Sequence, residues 1–298
     1  VDLSIGPLRP SAAVARAAGT LALVWQPSVG TGRSGERLGR SLGSSAEFSE
    51  HRAYAPGDDV RHIDWRAFAR SDQLVVRRFR EEIAPRLDVV LDASRSLAVH
   101  PDKARCAVDL FALWYALGRD AGFATRLWLA EERPRRVERT ALDERGVALD
   151  GTVPLSTSLG ALRTLGPGGV RVVISDWMAP SGAGDLFEAA FARASAGLAI
   201  AVWERGELDP PEGGALRLVD AETGAQREVE FDAARRRRFV ERAARWRADL
   251  ADGARRHGVP FVEWFATPTG AEQDAARGDA LAAAAREHLG PLGLIASR

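Results

Sequence analysis

Leu87-Asp88-Val89-Val90-Leu91-Asp92-Ala93-Ser94-Arg95-Ser96 is the stretch on which the reading of this chain turns. Leu87 to Leu91 has the short, β-branched-rich apolar character of a buried strand. It runs straight into an aspartate and two serines at alternate positions. In an extended segment alternate side chains point the same way, so one carboxylate and two hydroxyls converge just past the strand's carboxyl end. That end is where open α/β sheets hold their ligands.

Outward from this stretch, apolar runs alternate with helical periods. Strands are expected at Phe123 to Ala130, Val170 to Ser175, Leu198 to Trp203 and Val259 to Phe265, with helices at Lys103 to Asp120, Gly182 to Ala196, Ala233 to Arg256 and Ala271 to His288. The first helix places Ala107, Leu110, Phe111, Trp114 and Leu117 at steps of three and four, one apolar face for the sheet. The pattern predicts an α/β domain, a doubly wound and mostly parallel sheet, over residues 83–298. Leu216 to Val219 and Glu228 to Phe231 flank Glu222-Thr223-Gly224, a hairpin inserted near 216–231. Residues 1–82 are richer in Gly, Ser and Arg, with short strand candidates at Leu21 to Trp25 and Leu74 to Phe79. They are expected to form a smaller β-rich or irregular subdomain.

Charge sets limits on partners. Basic and acidic residues balance at 41 each, so no global field calls for nucleic acid or an anionic membrane. One cysteine, Cys106, excludes an internal disulfide framework, and the five histidines show no zinc-ligand spacing. No secretory leader and no uncharged run of membrane-spanning length is apparent, so a cytoplasmic setting without membrane insertion is expected. Lys103 is the one lysine among the 41 basic residues, and it follows Asp102, so no phosphate-binding loop of the Walker type is present.

Two later loops offer further oxygen donors. Thr157 lies just before a helical stretch, and Asp176 follows the strand Val170 to Ser175. With these strands as neighbours, Asp92, Ser94, Ser96, Thr157 and Asp176 would face one another across a crevice. Donors of oxygen alone, with few carboxylates, suit Mg2+ or Mn2+. Each residue singly is also an ordinary loop or helix-cap residue; the constellation carries the argument.

Asp92-x-Ser94-x-Ser96 with Thr157 and Asp176 resembles the metal-ion-dependent adhesion site of von Willebrand factor A domains. A second block is similar to the signature of the bacterial domain of unknown function 58 family: Gly43 to Phe48, Arg52-Ala53-Tyr54-Ala55-Pro56-Gly57-Asp58-Asp59-Val60-Arg61-His62-Ile63-Asp64-Trp65, and Ala69-Arg70. The resemblance implies an N-terminal segment joined to a von Willebrand A-like domain, and a cation whose coordination a partner's carboxylate completes. It further implies a non-enzymatic adaptor or co-chaperone partnered with a MoxR-type AAA+ ATPase. Leu97 and Ser158 depart from the family pattern, where methionine and aspartate often stand.

The alternative is a metal-assisted phosphoester hydrolase using Asp58, Asp59 and Asp64 with His62. An ion-pair arrangement with the neighbouring arginines accounts for the same residues. Gly30-Thr31-Gly32-Arg33-Ser34-Gly35 matches a dinucleotide fingerprint in letters, yet no apolar helical face follows it, so a loop is expected. The run Arg235 to Arg238 is interleaved with acids and is expected to be a solvated helix face.

Overall fold

The computed structural model describes residues 5–25, 47–56, 58–60, 63–80, 84–179, 181–211, 213–267 and 274–298. The chain divides into two compact units, Val1–Gly32 with Pro85–Arg298, and Arg33–Ala84. In the larger unit α1 (Ala13–Thr20) leads into β1 (Leu21–Leu23). In the smaller one β2 (Glu47–Ala53) and β3 (Val75–Arg80) pair antiparallel, with α2 (Trp65–Ser71) between them in the chain. The Asp64 carboxylate caps α2 by accepting from the N–H groups of Arg66 and Ala67, both at 3.0 Å.

The larger unit continues with β4 (Arg86–Asp92), α3 (Pro101–Asp120), β5 (Ala124–Ala130), β6 (Arg135–Val137), α4 (Arg139–Arg145), α5 (Leu155–Ala161), β7 (Val170–Ser175), α6 (Ala183–Phe191) and β8 (Ala196–Trp203). After α7 (Arg205–Leu208) a hairpin of β9 (Gly214–Val219) and β10 (Gln226–Phe231) precedes α8 (Ala233–Arg256), β11 (Phe261–Phe265), α9 (Asp274–Leu289) and β12 (Ile295–Ser297). Six strands make the central sheet in the order β11-β8-β7-β4-β5-β6. All pairings are parallel except that of β6, an antiparallel edge. The chain is therefore of mixed α/β class with a mostly parallel sheet.

Both faces of this sheet are covered, as parallel sheets require. Leu87, Val89, Leu91, Val172 and Ile174 pack with α3 and α9, whereas Val90, Val173, Ala199 and Ala201 pack with α5, α6 and α8. The expected face of α3, Ala107, Leu110, Phe111, Trp114 and Leu117, is fully buried. Each large apolar side chain so buried contributes roughly 1.5–3 kcal/mol. From β4 the chain passes to β5 on one side and later to β7 on the other. The crevice beyond the carboxyl ends of β4 and β7 is thus a topological switch point.

Three elements differ from the sequence reading. Residues 5–25 pack within the larger unit: β1 pairs with β12, and the Asp109 carboxylate in α3 accepts from the Ser11 N–H at 2.7 Å and the Ser11 hydroxyl at 2.8 Å. These are long-range contacts that no local period announces. The helix expected over Gly182 to Ala196 ends at Phe191. Arg193 there adopts φ 65°, and the buried Arg171 guanidinium donates to the carbonyls of Ala190 and Ala192 at 2.6 and 3.3 Å. Thr157 lies inside α5 and not ahead of it. Among the described residues, no helix is long and apolar enough to cross a membrane.

Candidate functional site

The carboxyl ends of β4 and β7 bring Asp92 and Asp176 together. Leu91 pairs with Ile174 in the ladder, so Asp92 and Ser175 are the next positions along neighbouring strands. Asp92 follows Asp88 and Val90 on the face that α5, α6 and α8 cover. The Ser175 hydroxyl donates to Asp92 Oδ2 at 2.7 Å, and the Ser94 N–H donates to Asp92 Oδ1 at 3.0 Å. A 3-10 turn, Arg95–Ala98, then turns the chain so that the Ser94 and Ser96 hydroxyls lie 2.9 Å apart.

Asp176 is held from three sides. Its Oδ1 accepts from the Met178 N–H at 3.0 Å, its Oδ2 from Lys103 Nζ at 3.0 Å, and its main-chain carbonyl from the Trp203 indole at 2.7 Å. The next residue, Trp177, has φ 57°, a left-handed conformation that costs a bulky residue of order 1–3 kcal/mol. Packing over-determines it: the Trp177 indole donates to the Ile200 carbonyl at 3.1 Å, and its ring stacks on Phe187 at 4.7 Å between centroids.

Both carboxylates are buried, Asp92 to 1% exposure and Asp176 to 0%. Burial, and then the negative charge of Asp176, push the Asp92 carboxyl up to about 7 against the pull of its hydrogen bonds. Burial and Asp176 likewise hold the half-buried Glu222, at the tip of the β9–β10 hairpin, above the usual carboxylate range. Burial draws the Lys103 ammonium downward, but Asp176 and Glu207 outweigh it and leave its pKa raised.

The segment leading to Thr157 runs alongside. Ser94 bridges Gly151, with the Gly151 N–H on the Ala93 carbonyl at 2.9 Å and the Arg95 N–H on the Gly151 carbonyl at 3.0 Å. A Cβ at position 151 would sit 2.9 Å from the Ala93 oxygen, so glycine is what lets the two segments approach. Thr157 itself is exposed on the first turn of α5, with its N–H on the Pro154 carbonyl at 2.9 Å. Its neighbour Ser158 is buried and donates to the Leu155 carbonyl at 3.0 Å. Described contacts thus join Asp92, Ser94, Ser96 and Asp176 directly or through Ser175 and Lys103, while Thr157 stands on an adjoining element.

Lys103 and Glu207 are the residues that sequence reasoning passed over. Their signal was present in one respect: a lone lysine in an arginine-rich chain. All the convergent donors are oxygens, the class a hard divalent cation takes. Among the described residues no cluster of three or more His, Cys, Asp or Glu side chains is spaced to hold a metal ion, so hydroxyls would have to contribute.

The residues of the alternative site have local duties. The Asp58 carboxylate accepts from the Ala55 N–H at 2.8 Å across the turn at Pro56, and Asp64 caps α2. His62 and the loop Gly30 to Gly35 lie outside the described residues. Asp88, inside β4, is buried and accepts from Arg86 Nε at 3.0 Å and the Trp128 indole at 3.1 Å.

Residues 50–249 match the model of the family described as protein of unknown function DUF58. The chain belongs to the DUF58 family. Two similar relatives are uncharacterized proteins of Mycobacterium tuberculosis and Mycobacterium bovis, each 31% identical over 245 residues, 76% of this chain and 77% of theirs. Among solved structures, an aerotolerance-related membrane protein from Bacteroides fragilis aligns over 68% of this chain and 100% of its own, at 13% identity. The TM-score of that alignment is 0.31.

Proposed function

We propose that this DUF58 chain is a non-enzymatic, divalent-cation-dependent protein-interaction module of von Willebrand factor A type. Asp92, Ser94, Ser96, Thr157 and Asp176 are the donors in this reading, and Mg2+ or Mn2+ the ion. The observation that carries it is the pair of buried carboxylates at the ends of neighbouring strands, with Asp92 pushed up to about 7 by burial and by Asp176. Two like charges out of water call for a cation, and Lys103 donates to Asp176. A divalent ion would supply Lewis acidity at an open position, which a partner's carboxylate completes. Ser175 and the Ser94 N–H hold Asp92 in orientation, and Met178 and Lys103 hold Asp176.

The partner class follows from the family resemblance: a MoxR-type AAA+ ATPase, a client protein presenting an acidic side chain, or both, with this chain as adaptor or co-chaperone. Calorimetric titration of Mg2+ and Mn2+ into wild type and Asp92→Ala tests the site; equal binding by the two proteins discards it. The alternative reading is the hydrolase of Asp58, Asp59, Asp64 and His62; in the fold the Asp58 carboxylate also braces a turn and Asp64 caps a helix.

A further inference from the structure

Lys103 is the one lysine among 41 basic residues, and it is 0% exposed. It stands in the first turn of α3, and its ammonium meets three acceptors from three segments. These are Asp176 Oδ2 at 3.0 Å, the Ser96 carbonyl at 3.0 Å and Glu207 Oε1 at 2.6 Å. An ammonium has three donors that can diverge toward three such partners. A planar guanidinium is built for bidentate recognition in one plane. In a chain that uses arginine elsewhere, this position requires the compact ion.

The consequence lies in how the carboxylates are occupied. Lys103 takes one oxygen of Asp176 and the Met178 N–H takes the other. Asp92 is engaged likewise, by Ser175 on Oδ2 and by the Ser94 N–H on Oδ1. Bidentate chelation needs both oxygens of one carboxylate turned onto the ion, and donors on both sides oppose that turn. Ca2+ takes six to eight oxygens, often with bidentate carboxylates; Mg2+ and Mn2+ accept octahedral sites and keep several waters.

We propose that Lys103 is the positioning residue that sets ion choice at this site: by pinning Asp176 it favours Mg2+ or Mn2+ over Ca2+. The inference rests on the cation-site reading above. Mn2+ and Ca2+ are titrated calorimetrically into the full chain as wild type, Lys103→Met and Asp92→Ala. The expected wild-type preference for Mn2+ is at least about ten-fold, and Lys103→Met lowers that ratio by about ten-fold or more, since a released Asp176 can chelate. A merely structural lysine would weaken both ions alike, and an unchanged ratio overturns the proposal. Water-proton relaxation of the Mn2+-loaded wild type needs no variant to fold: five protein donors on an octahedral ion leave about one ion-bound water, and its absence, the sign of a carboxylate bound through both oxygens, overturns the proposal. Binding that is absent in wild type, or indifferent to Asp92→Ala, removes the cation site and this inference together. Binding lost in Asp92→Ala with an unchanged ratio in Lys103→Met removes only the role of Lys103.

Discussion

The Ser175 hydroxyl donates to Asp92 Oδ2 at 2.7 Å across two neighbouring parallel strands whose sequence positions are 83 residues apart. That bond ties the carboxyl end of β4 to the carboxyl end of β7 and holds one buried acid beside another. It also shows what the arrangement costs. An aspartate whose carboxyl sits near 7 in the folded chain, against 3.8 as a free side chain, is charged at neutrality only at the expense of folding.

Asp92→Asn should therefore flatten the dependence of stability on pH. The folded state binds the Asp92 proton more tightly than the unfolded chain, so the penalty is absent below pH 4, grows as pH rises and is complete above about 7. Its ceiling is on the order of 4 kcal/mol. Urea denaturation from pH 5 to 8 should show the variant gaining on wild type across that window; parallel profiles would contradict the assignment.

Gly151→Ala places a Cβ 2.9 Å from the Ala93 carbonyl and must push the two segments apart. A loss of about 1–3 kcal/mol in urea unfolding is expected, the range for overpacking in a tight site. Because Ser94 bridges Gly151, divalent-cation affinity should fall with it. Full stability in the variant would mean that the close approach is dispensable.

Asp64 separates the two functional readings. As the cap of α2, its replacement by alanine should cost about 0.5–2 kcal/mol, and Asp64→Asn, an equally good cap, should cost less than alanine. A hydrolase that uses the Asp64 carboxylate would instead lose turnover in both variants. Thermal unfolding of the pair, with a phosphatase and nuclease screen on wild type and both variants, reads out both.

Asp88→Ala removes the carboxylate that accepts from Arg86 and Trp128 and whose charge faces the buried Arg171. Burial already draws the Arg171 guanidinium down to about 10, so loss of the neighbouring negative charge should destabilise strongly, by about 3–5 kcal/mol. Asp88→Asn, which keeps the shape and an acceptor, should cost less. A denaturation midpoint unmoved by Asp88→Ala would show that the strand does not need this charge.

Much of the larger unit is readable in local pattern. Leu87 to Leu91 declares a strand by its apolar run, and Ala107 to Leu117 declares a buried helix face by its spacing. Both periods arise from backbone geometry that each segment carries with it. The hairpin near 216–231 was legible for the same reason, through its glycine-bearing turn. The boundary at 82 was not, because β1 owes its place to β12 at the other end of the chain.

By itself, the amino-acid sequence determined the α/β class, the strand that ends in Asp92 and the short range of donor types that could gather there. Only the tertiary structure decided that β7 lies beside β4, that Ser175 therefore meets Asp92, and that Lys103 fills the space between Asp176 and Glu207. Strand order and the neighbours of a buried charge are set by packing across the whole sheet. A lysine in the first turn of a helix carries no mark of the carboxylates, 73 and 104 residues away, that will surround it.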